Sequence, residues 1–427
     1  MSLPTFFSPV SPPKLKSLEL FGTNVTDAGM RDLAKLTKLQ SLFFNNVGDT
    51  GLKNVGRLTN LQTLVFQNYM VTDAVVKDLI KLTKLRILGL DQSKVTDAGL
   101  KDLAKFTNLQ ILNLATAKVT DAGMKDLAKL TNLQTLDLTF TKVTDAGLKD
   151  LATLSNLQSL NLQDTVVSDA GLKHLTRLSK LQSLKVGGLR VTDAGMKDLA
   201  TLTNLQSLDL IFTGVREAGL KDLARLTKLQ SLNLHETYVN DAGLKVLATF
   251  TNLHELELEK TQVTDAGLKD LAKLTNLKNL NLNLNQVTDA GLKDLTKLTK
   301  LRALSISFTK VTNAGLKDLA TLSNLQSLDL FGTTVTDAGL KDLATLTKLQ
   351  NLELGQTLVT DAGMNDLTNL TNLQKLGLNH TKVTNAGVKD LTRLTKLEDL
   401  HLFFTMVSDV GEAELRSKLP GCVVSKN

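Results

Sequence analysis

Residues 136–159 read LDLTFTKVTDAGLKDLATLSNLQS, and residues 160–183 read LNLQDTVVSDAGLKHLTRLSKLQS, the same phrase one period later. The valine ahead of the "TDAG" run falls at Val25, Val47, Val71, Val95 and Val119 and then every 24 residues to Val407, making 17 units with one 22-residue step between Val25 and Val47. The first half of the phrase alternates: Leu136 and Leu138 point one way, Asp137 and Thr139 the other, which is the period of a strand. The second half changes period, and Leu148, Leu151, Ala152 and Leu154 make the apolar stripe of a short helix. Thr144 suits an N-cap, Asp145 suits the positive end of the helix dipole, and Asp145 stands four residues before Lys149, a weakly stabilising spacing. Each unit is therefore a strand, a turn and a helix, too small to bury its own leucines. Stacking the units side by side solves that, because parallel strands then share one continuous leucine core with the helices.

The "LxxLxLxxTxV" half resembles the leucine-rich repeat, with Thr141, Thr165 and Thr213 where that family usually has Asn or Cys. The "VTDAGLKDLA" half is similar to the cysteine-containing, F-box-type and bacterial subtypes of the same repeat. The resemblance spans roughly residues 15–416. It implies an α/β solenoid, a horseshoe or arc of 17 strand–helix repeats with a parallel concave sheet and convex helices. Seventeen strands at about 4.8 Å predict an inner edge of roughly 80 Å. Residues 1–14, rich in proline, read as a flexible lead-in, and residues 417–427 read as a half-repeat cap, with Leu419, Cys422 and Val424 in the places of a repeat's first three leucines. Such a lead-in offers little apolar cover to Leu15, Leu18 and Leu20. The threonines can bond a loop backbone group through a single hydroxyl, whereas an asparagine amide both donates and accepts.

Two further readings concern packing. Glycine follows "DA" or its equivalent in 16 of the 17 units, Val75 being the exception, although a helical glycine costs about 1 kcal/mol relative to alanine. Close approach of backbones at the strand-to-helix corner accounts for it. Around "LFFNNV" the shortened unit should tighten the loop between strand and helix and leave the sheet intact, with Phe44 in the core and Phe43 on the concave side.

Cys422 is the single cysteine, which excludes a disulfide framework, fits a reducing compartment and points to a cytoplasmic protein; the residue itself reads as part of the core. The proline-broken N-terminus lacks the basic start of a signal peptide, and no run of 18 apolar residues exists, so no membrane association is expected. The net charge of +7 raises the question of nucleic acid. Yet Lys or Arg follows the "GL" position in 15 of 17 units, on the helical face and beside aspartates such as Asp102, Asp126 and Asp150, without interleaved aromatics. That is a solvated mixed-charge face, and no nucleic-acid partner is expected.

A repeat array is its own comparison set: scaffold letters stay uniform while binding letters are free to differ. Variation concentrates in the outward strand letters and the two letters after the strand, which hold 12 acidic residues against three basic ones, Lys185, Lys260 and Lys375. A basic chain thus carries an acidic inner face, which repels phosphate and favours a basic protein or peptide. The candidate partner-binding residues are Asp137, Phe140, Asp209, Ile211, Phe212, His235, Glu236, Glu257, Glu259, Phe308, Asp329, Phe331, Glu353, Phe403 and Phe404. The densest patch runs from Asp209 to Lys260. The phenylalanines fit either as interface anchors or as shields for the core edge, and both readings stand.

Chemistry finds little support. His235 falls beside Glu259 on the next strand, with Glu257 and Asp209 near, but one histidine among acids is a thin metal signature. No phosphate loop, metalloprotease helix or nucleophile elbow occurs, and an open arc lacks a water-excluding pocket. The expected protein is not an enzyme and takes no cofactor or metal. It is a monomeric interaction scaffold. The alternatives are a substrate-recognition subunit of a ubiquitin-ligase-like assembly, as the F-box-type resemblance implies, and an architectural spacer in a larger protein.

Overall fold

The computed structural model describes residues 15–45, 47–67 and 70–426, so the lead-in expected over residues 1–14 lies outside the described residues. Among those residues 18 strands alternate with 17 helices. They fall into two compact units, Met1–Asp209 and Leu210–Asn427. In the first unit, nine parallel strands run from Ser17–Leu20 to Ser207–Asp209, each paired with the next in sequence. In the second, nine run from Ser231–Asn233 to Val423–Ser425 in the same manner. Register follows the phrase: Leu136 pairs with Leu160 and Asp137 with Asn161. The inward leucines are sealed, Leu136, Leu138, Leu148, Leu151 and Leu154 all being 0% exposed.

The helix is shorter than its apolar stripe suggests. It spans Asp145–Leu151, Ala152 is its C-cap, and Leu154 packs from the turn that follows. The 22-residue step leaves the sheet whole: Phe43 and Phe44 stay in register with Val65 and Phe66, and the two residues are lost between strand and helix, where Val47 follows Phe44 by three positions and Val143 follows Leu138 by five. Phe44 is fully buried and stacks on Phe66 at 5.5 Å, while Phe43 is half-buried on the opposite face. Leu15, Leu18 and Leu20 are only half-buried, unlike their counterparts Leu39, Leu42 and Phe44 in the next repeat.

A hydrogen-bonded ladder explains every letter of "TDAG". Thr144 Oγ1 accepts from Ala146 N at 3.3 Å, capping its own helix, and donates to Asp121 Oδ2 of the preceding repeat at 2.6 Å. Thr144 N donates to the other oxygen of Asp121 at 2.7 Å. Asp145 in turn accepts from Ser168 N and Oγ at 2.8 and 2.6 Å, so its carboxylate serves the next repeat, not Lys149 as its spacing suggests. The lysine pairs form one turn further on, at the helix C-terminus, as Lys129–Asp126 does at 2.6 Å. The glycine completes the device. A Cβ on Gly123 would sit 2.6 Å from Asp97 Oδ1 and 2.5 Å from Leu100 Cδ1, so the letter keeps the corner open for the neighbour's carboxylate. The close approach is real, but what lies nearest is the neighbouring repeat's side chains and not, as the sequence suggests, its backbone, which stays 3.3 Å away at Asp97 Cα.

Natural changes in the phrase show how the ladder depends on its letters. Asn313 and Asn385 replace the aspartate; each amide nitrogen donates to the next repeat's hydroxyl, Thr336 or Ser408, at 2.8 Å, and neither hydroxyl then caps its helix. Where the phrase reads "REAG", Glu217 turns to Lys221 at 2.6 Å within its own helix, and Asn240 Oδ1 caps Gly243 N at 3.2 Å. No rung joins Glu217 to Asn240 among the described residues.

The threonines of the first half also behave as their chemistry predicts. Thr141 and Thr213 are buried and donate to Leu138 O and Leu210 O of their own turns at 2.6 and 2.7 Å; half-buried Thr165 donates to Leu162 O at 2.6 Å. Asn285, in the same place, reaches further. Its amide donates to Leu258 O of the preceding repeat at 2.7 Å and accepts from Val263 N at 3.2 Å.

The C-terminal cap differs from expectation by two residues. Strand Val423–Ser425 sets Val424 against Leu400, the second leucine of the phrase and not the third. The preceding helix is extended, Asp409–Lys418, and takes up residues that elsewhere form the connecting turn. Leu419, Cys422 and Val424 are nevertheless buried. Burial, and then the nearby Asp399, push the Cys422 thiol up from its ordinary value, which disfavours the reactive thiolate.

Candidate functional site

The outward strand letters and the turn after them make one surface in each unit. The second turn letter adopts a left-handed backbone in repeat after repeat: φ is 56° at Phe140, 58° at Phe212, 51° at Glu236, 53° at Phe308 and 58° at Phe404. A side chain with a Cβ resists this region by about 1–2 kcal/mol. Its recurrence makes it the geometry of the turn, which presents each of these side chains away from the leucine core.

In the first unit, Asp137 is half-buried and tied to its own turn, accepting from Thr139 N at 2.9 Å, while Phe140 stands 61% exposed. Asp209 ends the last strand of that unit. The remaining candidates belong to the second unit and gather in three places. Phe212 packs edge-on against His235 at 5.3 Å. His235 lies 3.7 Å from Glu236 and 3.8 Å from Glu259, and Lys260 pairs with Glu236 at 2.7 Å. Ile211 is half-buried beside this group. No group of three or more His, Cys, Asp or Glu suited to a metal ion occurs among the described residues.

The second place joins Phe308, Asp329, Phe331 and Glu353 around a hollow of about 300 Å³. Phe308 and Phe331 meet at 5.2 Å, and glycines make room for both: a Cβ on Gly332 would touch Phe308 at 2.6 Å, and one on Gly355 would touch Phe331 at 2.7 Å. The third place is the C-terminal pair, Phe403 and Phe404, where Phe404 stacks on His380 at 4.4 Å. The phenylalanines differ in how far they are covered. Phe331 is half-buried over a neighbouring glycine, whereas Phe140 and Phe404 are about three-fifths exposed.

Of the three basic residues on this surface, Lys260 is neutralised by Glu236, and Lys375 by Asp399 at 3.3 Å. Glu257, Glu259, Asp329 and Glu353 have no lysine or arginine in ion-pair reach among the described residues. Burial pushes the carboxyls of Glu257 and Glu353 up from the usual glutamate value; Asp329 adds to the rise at Glu353, while the Gly355 N–H and His401 oppose it. A folded-state rise means that the folded chain holds the proton more tightly than the unfolded chain. The associated stability is therefore full below the unfolded value of 4.5 and is lost as pH climbs through the folded value. Glu353→Gln should accordingly melt higher than the parent at pH 7, with the difference shrinking as the pH drops below about 4.5. An equal melting shift at both pH values would contradict this.

Asn283, Leu284, Ser307 and Asn379 also line the hollow, and sequence reasoning passed over them. Leu284 was findable, since it occupies the same letter as Phe212 and Phe308. Ser307 was not, because a serine in a varied column carries no signal of its own.

The chain belongs to the leucine-rich repeat family: the model of a leucine-rich repeat region matches residues 15–261, and a second leucine-rich repeat model matches residues 251–272, 273–295, 297–320 and 321–344. No curated protein matches it in sequence. Among solved structures, a leucine-rich repeat protein of Leptospira interrogans is 22% identical over 97% of this chain and 96% of its own, with a TM-score of 0.53. The mouse RP105/MD-1 complex matches at 18% identity over 95% of this chain and 78% of that one, with a TM-score of 0.60. An internalin of Listeria monocytogenes is 27% identical over 76% of this chain and 82% of its own, with a TM-score of 0.49. Proteins built on this repeat generally mediate protein–protein interaction and serve as binding scaffolds.

Proposed function

We propose that this chain is a non-enzymatic interaction scaffold that captures a basic protein or peptide on its open sheet face. The observation that carries the reading is the set Glu257, Glu259, Asp329 and Glu353, half-buried on the sheet face without a lysine or arginine partner among the described residues, on a chain whose net charge is +7. Carboxylates without cations raise the association rate of a basic partner and make it fall with salt. The phenylalanines beside them supply the apolar anchors that such contacts ring. Burial of its single thiol suits a monomer working in a reducing cytoplasm.

The test is binding of a panel of Lys- and Arg-rich peptides, and of partners recovered with the whole chain as bait, to the parent and to Glu257→Lys/Glu259→Lys. The double reversal is expected to weaken binding about tenfold or more at low salt. Lys149→Glu, on the exposed helical side, should leave it unchanged. If Lys149→Glu weakens binding more than the sheet-face pair does, the partner sits on the helices and the assignment fails.

A further inference from the structure

We infer that the hollow between Phe308 and Glu353 receives a single arginine side chain of the partner. This rests on the acidic-face reading and narrows it to one contact. The hollow of about 300 Å³ is at the small end of ligand pockets and suits one side chain. Asp329 and Glu353 are register partners on adjacent strands, so their carboxylates face the same opening, which Glu259 also lines. Each is held in place by a backbone N–H two residues ahead: Phe331 N donates to Asp329 Oδ1 at 3.0 Å, and Gly355 N donates to Glu353 Oε1 at 2.9 Å. The second oxygen of each has no hydrogen-bond partner among the described residues. Like charges set side by side without a cation are unfavourable, and a cation placed between them relieves that.

A second observation is independent of the acids. Ser307 lines the same hollow, is 4% exposed, and its Oγ has no hydrogen-bond partner among the described residues. A buried orphan hydroxyl costs about 1–3 kcal/mol, and a donor-rich ligand would give it a bond. The aromatic walls decide which cation. Phe308 is 48% exposed and presents its ring beside the carboxylates. A planar guanidinium stacks on such a ring while its fork of donors serves two carboxylates; an ammonium is a compact, strongly hydrated point charge that does neither well.

The experiment uses the full chain and the capped tripeptide acetyl-Gly-Arg-Gly-amide, with its Lys and citrulline counterparts and free L-arginine, measured by ligand-observed NMR at low salt. The arginine peptide is expected to bind about tenfold more tightly than the lysine or citrulline peptide, and more tightly than free arginine, whose own carboxylate is repelled. Asp329→Asn/Glu353→Gln should abolish that preference, while Glu255→Gln/Glu257→Gln, outside the hollow, should preserve it; circular dichroism checks that both variants fold. Equal binding of the Arg and Lys peptides, weakened alike by both double variants, would overturn the arginine site and leave the acidic face standing. Tighter binding of free arginine would overturn the partner-side-chain assignment. No binding of any basic peptide would sink both readings together.

Discussion

Phe44→Ala is expected to destabilise the N-terminal repeats by about 3–5 kcal/mol, the usual cost of truncating a fully buried phenylalanine. The ring is 0% exposed and lies at 5.5 Å, nearly parallel, against Phe66, so its removal opens a cavity that the strands cannot close without leaving register. Because a repeat array need not unfold as one unit, the effect is best read locally, as faster amide exchange over Ser41–Asn45 and Thr63–Gln67 at low denaturant. Phe43→Ala, on the other face of the same strand, should cost much less. A near-neutral Phe44→Ala would show that the strand register in the shortened repeat is wrong.

The second large effect runs against helix propensity. Gly147 sits inside a helix, where alanine is better by about 1 kcal/mol, so propensity alone favours Gly147→Ala. Sterics oppose it. The new Cβ would lie 2.5 Å from Asp121 Oδ1 and 2.9 Å from Met124 Cγ. Asp121 is a short side chain, but it cannot simply swing away, because Thr144 N and Oγ1 hold its two oxygens at 2.7 and 2.6 Å. Hydrogen bonds to a charged group contribute about 1.5–3 kcal/mol each, so losing both bonds of this rung outweighs the propensity gain by roughly 2–5 kcal/mol. Gly29 supplies the control. It holds the same letter in the first repeat, and a Cβ there would meet only Val25 and Thr26, at 3.7 and 3.8 Å. Gly29→Ala should therefore raise the melting temperature and Gly147→Ala lower it. If both raise it, the ladder contributes little to stability.

The fold was legible because period and letter type repeat together: strand alternation at Leu136 and Leu138, the cap at Thr144 and the packing glycine at Gly147 all emerge from one phrase. Legibility ended where a letter serves a neighbour 23 residues away. Asp145 reads as a local charge at a helix end, and nothing in one phrase says that its oxygens belong to Ser168. The cap was misplaced by two residues for a related reason: the longer helix Asp409–Lys418 has no counterpart upstream to compare with. The candidate site was legible as a surface, through the excess of acids in the varied letters. Its grouping was not. Pairing of Lys260 with Glu236, the shelter that Gly332 gives Phe308, and the orphan hydroxyl of Ser307 depend on which neighbours meet across strands.

The rung from each aspartate to the next repeat's hydroxyl also gives the array a direction and a fixed gauge. Most units offer an acceptor forward and a donor backward, so two cut ends that carry the full phrase and are separated by a whole number of units match again when rejoined. Length can then change by duplication or excision without new chemistry at the seam. Each removed unit slides the surfaces on either side together by one strand spacing, about 4.8 Å. Glu257 and Glu353 hold the same letter four units apart, so the spacing between acidic contacts is a graduated quantity that inheritance can adjust in whole steps while the contacts themselves stay as they are.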